Sequence, residues 1–310
     1  MIDPSFQVVT VTLNPAIDRT LIIRQFEAGR VNRVENESST AGGKGVNVAA
    51  ALALSGHRVV ATGFLGRENP GVFEQLFASL KIADRFVRIA GSTRSGIKVT
   101  DPELQQTTDI NFPGAEPSAS CLDALRQGVA TLHAEWFVLA GSLPPGVPPS
   151  FYRDLTAELK SRGARVVLDA SGEPLRLAVA AAPDVIKPNV HELEELVGHP
   201  LTTTHDVIAA ARQLVAQGVG CVVVSMGAEG ACFVTRNEAL IAIPPAVEVR
   251  TTVGAGDAMV AGILTSFING SSLAETARVA SAFSLRAISA HPQPLETFAA
   301  GITIEHHACT

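Results

Sequence analysis

The chain opens on a β-rich run from Gln7 to Leu13 (Val8, Val9, Val11, Leu13) that predicts the first strand of a sheet, stopped at Asn14-Pro15. Imperfect alternation over Asp18–Arg24 and a polar, β-branched stretch over Val31–Ser39, separated by a Gly29 turn, predict an exposed hairpin or flap. Ala41-Gly42-Gly43-Lys44-Gly45 then opens a helix. Val46, Ala49, Ala50 and Ala53 fall on one face of it, and Gly56 ends it. A strand follows from Val59. The spacing of Phe73, Leu76, Phe77 and Leu80 predicts a helix over Glu68–Leu80, and Arg85–Ala90 reads as a short strand.

Thr93–Thr100 and Thr107–Phe112 break this rhythm, because they flank the turn Asp101-Pro102-Glu103 as a second hairpin outside the main sheet. It is expected to pair with the first flap as a lid. From Ser118 the alternation resumes. Helices are expected over 118–132, 149–162 and 205–217, with short helical pieces between the last two. Strands are expected at Trp136–Ala140, Arg165–Asp169, Val185–Lys187 and Cys221–Ser225. Two more β-runs, 230–235 and 239–243, precede two apolar helices, 255–268 and 273–289, that close the fold. Val/Ile-rich strands spaced by helices imply a parallel sheet covered on both faces. The fold class expected is therefore α/β, a Rossmann-like three-layer sandwich with a small β-sheet lid. One domain spans 1–310, and insertions at about 14–39 and 92–113 form the lid.

Composition narrows the function classes. Apolar residues at 46% and charged residues at 17% describe a folded globular chain, and a net charge of −6 argues against a broad nucleic-acid-binding face. Met1–Ser5 lacks the basic start of a signal peptide, and no run of about 18 apolar residues is present to span a bilayer, so a cytoplasmic protein without a membrane partner is expected. Cys121, Cys221, Cys232 and Cys309 show no CxxC pairing and read as free thiols, three buried and one in the tail.

The chemistry centres on Thr251-Thr252-Val253-Gly254-Ala255-Gly256-Asp257, a glycine-rich turn running into a buried helix. A helix start offers unpaired N–H groups with partial positive charge, which suits a phosphate or a developing anion. Asp257 conflicts with that role unless it accepts a proton from an attacking hydroxyl while the N–H groups hold the transferring group. The plainer alternative is an acid that complements the helix dipole. A Walker loop is absent, since Gly45 follows Gly43-Lys44 where Ser or Thr is required. Gly254-x-Gly256 also fails the dinucleotide fingerprint at Met259. His191-Glu192 fails as a zinc motif, because position 195 is Glu. Asp18, Gly42-Gly43, Asn47, Gly141-Ser142 and Asp257 nevertheless all fall at or just past the C-terminal ends of predicted strands, the edge where open α/β sheets bind ligands.

Gly42-Gly43-Lys44-Gly45-Val46-Asn47 early and Thr252-Val253-Gly254-Ala255-Gly256-Asp257 late resemble the two signatures of the ribokinase-like carbohydrate kinases, and Lys187-Pro188-Asn189-Val190-His191-Glu192 is similar to that family's Asn-x-x-Glu motif. Thr12–Asp18 and Gly141–Gly146 resemble its phosphosugar branch. The resemblance implies ATP-dependent phosphorylation of a ketohexose phosphate, fructose 1-phosphate foremost. Tagatose 6-phosphate, fructose 6-phosphate, an unphosphorylated sugar or nucleoside, and a non-catalytic sugar-phosphate sensor are the alternatives. It implies Asp257 as the base, with Gly254, Ala255 and Gly256 as the anion hole. Asp18, Gly43, Lys44, Asn47 and Ser142 would lie on the sugar, and Lys187, Ser225, Gly227, Gly230 and Thr252 around the nucleotide. Asn189 would serve the nucleotide and, with Glu192, magnesium through water. Thr251 stands where ribokinases carry an acidic monovalent-cation ligand, which argues against potassium. Ala290–Pro294 replaces a glycine-rich turn beside the nucleotide.

Arg94 and Lys98 lie four apart in a predicted strand and so share a face, which in a lid looks down on the sugar. With Arg30 at the tip of the other flap they are expected to hold a phosphate dianion. An isolated two-stranded hairpin is marginal in water, so the lids are expected to pack on one another in a homodimer.

Overall fold

The computed structural model describes residues 6–104 and 106–308, so the expectations for Met1–Ser5 and Cys309 lie outside the described residues. The chain begins with β1 (Val8–Thr12), β2 (Ala16–Ile22), β3 (Asn36–Gly42), α1 (Lys44–Leu54), β4 (Val59–Gly66) and α2 (Gly71–Leu80). Short strands β5 (Ala83–Asp84) and β6 (Val87–Ile89) lead to the hairpin of β7 (Ser95–Asp101) and β8 (Gln106–Asn111). Regular alternation follows through α3 (Ala119–Thr131), β9 (Trp136–Ala140), α4 (Phe151–Ser161), β10 (Arg165–Asp169), α5 (Gly172–Val179) and β11 (Val185–Ile186). The last third holds α6 (Val190–Val197), α7 (Thr204–Ala216), β12 (Cys221–Ser225), β13 (Ala231–Thr235) and β14 (Ala239–Ile243). It finishes with α8 (Ala255–Ile268), α9 (Leu273–Ile288), α10 (Leu295–Gly301) and β15 (Thr303–His307).

Among the described residues eleven strands form one sheet in the order β15-β14-β13-β12-β11-β10-β9-β1-β4-β5, with β6 also on β4. From β12 to β5 the pairings are parallel, and β1 and β9 are buried along their whole length. This follows from their Val/Leu-rich sequences, which present an apolar side chain to both covering layers. The expectation of a parallel sheet holds only in part, because β13, β14 and β15 add an antiparallel edge. Apolar cores fill both faces. One holds α1, α2, α8 and α9, the other α3, α4, α5 and α7. Helix α8 is apolar on nearly every side because it lies between α1, α9 and the sheet, and a Cβ on Gly262 would strike the backbone of Ala280 on α9.

Four strands stand apart as a second sheet ordered β3-β2-β7-β8, with β2 and β7 parallel and the other pairs antiparallel. Its outer strand β8 is exposed throughout. Two expectations fail at the C-terminus and at a thiol. The fold does not close on α9, because α10 and β15 follow it, and Cys121 is half-buried while Cys221 and Cys232 are buried. Burial pushes both of the latter thiols up to about 12, which leaves them unreactive.

Candidate active site

The C-terminal ends of the parallel strands converge on the start of α8. Gly254 caps that helix at φ 82, a left-handed conformation that costs glycine little, and Ala255, Gly256 and Asp257 form its first turn. No side chain caps it, so its leading N–H groups remain for a ligand. Asp257 is 8% exposed and accepts a 2.7 Å hydrogen bond from Asn47 Nδ2 on α1. Burial, reinforced by the Asp169 charge, pushes its carboxyl up to about 6 against the opposing pull of Asn47, Lys187 and Lys44. A carboxylate poised there is suited to accept a proton near neutral pH.

Beside it Lys44 Nζ donates to Asp169 Oδ1 at 2.9 Å, and Lys187 Nζ lies 3.6 Å from Asp169 Oδ2. Asp169 was not anticipated. Burial alone would raise its carboxyl, but Lys187 and Lys44 outweigh burial and hold it below the usual carboxylate range. Lys187 also packs on the helix start, since a Cβ on Gly256 would come within 2.9 Å of its Nζ. All these charged groups line one cavity of about 940 Å³, together with Asn189, Glu192, Ser225, Gly227, Gly230, Thr252, Gly254, Ala255 and Gly256. The same lining has an apolar part, made by Pro244, Pro245, Val247 and Val249 and by Met259, Leu285 and Ile288 of α8 and α9. The sequence reading missed that wall. Its only local signal is Pro244-Pro245 straight after β14.

Asn189 and Glu192 form a capping box on α6: Asn189 Oδ1 accepts from Glu192 N at 2.8 Å, and Glu192 Oε2 accepts from Asn189 N at 2.9 Å. Among the described residues no cluster of three or more His, Cys, Asp or Glu could cage a metal. A magnesium ion that keeps its waters and is held through substrate phosphates and one or two carboxylates fits this donor set. Thr251 Oγ1 accepts from Val253 N at 3.2 Å and braces the turn before the helix.

The residues expected on the sugar divide. Asp18 on β2 is cradled by glycines of the two flanking strands, for a Cβ on Gly42 or Gly96 would collide with its carboxylate. Burial raises its carboxyl while Lys98 and Arg94 pull it down, and Lys98 shares its face of the small sheet because Asp18 pairs with Gly96 and Thr20 with Lys98. Arg94 precedes β7, and its guanidinium donates to the carbonyls of Asn14 (3.3 and 3.2 Å) and Phe112 (3.1 Å). Ser142 Oγ accepts from Asn14 Nδ2 at 3.1 Å. Arg94, Asn14, Asn111 and Ser142 line a second cavity of about 850 Å³. Ser142 on its wall follows Gly141, and a Cβ on Gly141 would be 3.9 Å from the Cβ of Lys44 on the wall of the first cavity. Gly43 packs against Pro15, and Asn47 meets Asp257 rather than lining either cavity. Lys98 is not a free cation, because its Nζ is held by Asp109 on β8 at 3.0 Å. Arg30 does not join the group either. It sits at the flap tip, 72% exposed and paired with Glu27, and lines neither cavity.

The family model for pfkB carbohydrate kinases matches residues 11–291. The chain belongs to the pfkB family. Among curated proteins this kinase is 48% identical to the 1-phosphofructokinase of Rhodobacter capsulatus over 302 residues, 96% of each chain. It is 40% identical to that of Escherichia coli K12 over 291 residues, 92% of each chain. Among solved structures it superposes on phosphofructokinase-2 from Escherichia coli in complex with substrates and products with a TM-score of 0.89, at 29% identity over 95% of this chain and 98% of that one. A possible 1-phosphofructokinase from Thermotoga maritima gives a TM-score of 0.84 at 30% identity, over 97% of this chain and 100% of that one. The kinase is thus a phosphotransferase with an alcohol acceptor. Among its described residues no helix is long and apolar enough to cross a membrane.

Proposed function

We propose that this pfkB-family kinase transfers the γ-phosphoryl group of ATP to fructose 1-phosphate, giving fructose 1,6-bisphosphate and ADP. One observation carries the chemistry: a buried carboxylate, Asp257, stands at the uncapped start of α8 in a cavity that also holds two lysines. The substrate assignment rests on relatives named 1-phosphofructokinase at 40–48% identity over more than nine-tenths of the chain. ATP and sugar phosphates are charged and confined by bilayers, so the reaction belongs in the cytoplasm.

In this scheme ATP occupies the larger cavity with its base against the Pro244–Val249 wall and its phosphates toward Lys187, Lys44 and the α8 turn. The phosphosugar lies under the small sheet, between Asp18 and the Arg94/Ser142 cavity. Asp257 takes the proton of the acceptor hydroxyl as its oxygen bonds to the γ-phosphorus. The bond to the bridging oxygen breaks, and that electron pair leaves with ADP. The N–H groups of Gly254, Ala255 and Gly256 hold the transferring oxygens. Asn189 and Glu192 would hold a magnesium ion through water beside the phosphates, and the bound ion would supply charge neutralisation. Product analysis by ³¹P NMR tests the assignment. Conversion of fructose 1-phosphate to the 1,6-bisphosphate with matching ADP release supports it, and sugar-phosphate binding without ADP release identifies a sensor instead.

The Asp257 carboxyl, raised to about 6, predicts the pH profile. The base is ionised above that value and protonated below it. In the free enzyme kcat/KM should therefore fall about tenfold per pH unit below pH 6 and be flat just above. An acid limb near pH 4 would mean that Asp257 is not the base being titrated.

We further propose that two copies associate through their small sheets. Val31 is 88% exposed, and Val34, Leu104, Ile110 and Phe112, all in this sheet or its connections, are also exposed. Five exposed apolar side chains on a small sheet with an open edge are a liability unless covered. Sedimentation at micromolar concentration should show a dimer, and Ile110→Lys should shift it to monomer. A monomeric wild type contradicts this.

A further inference from the structure

We propose that Asp169 is the positioning residue of the phosphoryl-transfer site: its carboxylate ties the ammonium groups of Lys44 and Lys187 together and so fixes where the two cations stand beside Asp257. The inference deepens the kinase reading and rests on it for its catalytic meaning.

Asp169 ends β10 and is 1% exposed. Its backbone carbonyl accepts from Gly141 N at 2.9 Å, which locks the strand end in place. The two lysines it contacts come from separate elements. Lys44 is the first residue of α1, and Lys187 follows β11, the strand next to β10. Asp169 Oδ1 accepts from Lys44 Nζ at 2.9 Å; Oδ2 has no hydrogen-bond partner and only the Lys187 ammonium, 3.6 Å away. Lys187 is itself only 7% exposed, so it depends on this carboxylate for compensation. Two like charges would otherwise separate. Joined through one anion, they stay on the cavity wall by the anion hole, placed before a phosphate arrives.

The same arrangement divides labour between two buried carboxylates. The groups that face Asp257 are Lys44 and Asn47 on α1, Asp169 at the end of β10 and Lys187 after β11, while Glu192 on α6 acts on Lys44. Asp169 takes the direct contacts of both lysines and is held low, while the same lysines only partly offset burial at Asp257, whose carboxyl is raised. Environments that push two neighbouring acids apart in this way assign one to structure and one to proton transfer.

The test follows the Asp257 carboxyl carbon by ¹³C NMR titration, assigned by its loss in Asp257→Asn, in wild type, Asp169→Asn and Lys44→Met. Removing the Asp169 charge should move the Asp257 titration to lower pH by on the order of one pH unit, and removing Lys44 should move it to higher pH. In Asp169→Asn kcat should also fall about tenfold, because the lysines are no longer held together. An Asp257 titration that stays put in both variants, or moves the same way in both, overturns the proposal, as does a kcat for Asp169→Asn within twofold of wild type. Should Asp169→Asn fail to fold, Lys44→Met decides alone: an upward move supports the proposal, and no move or a downward one overturns it. Failure of the kinase reading is seen separately, as wild type that titrates as described but releases no ADP.

Discussion

Asp257→Asn should lose between about 10² and 10⁴ in kcat while folding as well as, or better than, the wild type. The rate loss is that of a missing general base. The stability gain comes from the same burial that tunes the base. A carboxyl whose folded pKa is raised from 3.8 to about 6 costs stability when ionised, on the order of 1–3 kcal/mol at pH 7. That cost is present above pH 6 and disappears as pH falls through 6 toward 3.8, where folded and unfolded carboxyls are both protonated. Asparagine removes the charge and keeps an oxygen for Asn47. At pH 7 the variant's Tm should equal or exceed that of the wild type by a few degrees. An acid that merely complemented the α8 dipole would give the opposite pair of results, a lower Tm and near wild-type kcat.

Arg94→Ala should raise KM for the phosphosugar about ten- to hundredfold and leave KM for ATP nearly unchanged. Arg94 lines the cavity with Ser142 and is not among the residues of the larger cavity assigned to the nucleotide. A charge-assisted hydrogen bond contributes roughly 1.5–3 kcal/mol, which sets the scale of the loss. The guanidinium is pre-aimed by the Asn14 and Phe112 carbonyls, which accept its hydrogen bonds without neutralising its charge. Lys98→Ala should cost less, because Asp109 already neutralises that ammonium. Assays with the phosphoketose and the free sugar separate the roles. If both substrates suffer equally in Arg94→Ala, Arg94 holds the fold of the cavity and does not read the phosphate.

Much of this architecture was legible because buried parallel strands leave an unbroken apolar record. β1, β9, β10 and β12 each stand within two residues of where Val and Leu runs place them, and α8 follows its glycine turn. What failed was carried by tertiary partners. β15 reads Thr-Ile-Glu-His-His and exists because β14 offers it an edge, and α10 has only seven residues and one buried apolar side chain. The Lys98 partner was hidden by register. A turn centred on Pro102 would set Lys98 opposite Gln106, whereas the hairpin pairs Asp101 with Gln106 and so brings Asp109 to Lys98. Asp169 was passed over because a strand-terminal Asp looks like a ladder end. Only the packing of α1 and β11 shows two lysines meeting on it. The two glycine signatures fared better: Lys44 and Gly254–Asp257 line one cavity, although Asn47 serves the carboxylate rather than that wall.

The most direct test of the account is kcat/KM of the purified kinase, with saturating magnesium-ATP, for fructose 1-phosphate against fructose 6-phosphate, tagatose 6-phosphate and free fructose. Fructose 1-phosphate should be highest and free fructose lowest by at least about tenfold, the minimum expected for one lost charge-assisted contact. A free sugar used as well as its phosphate, or a clear preference for either 6-phosphate, would contradict it.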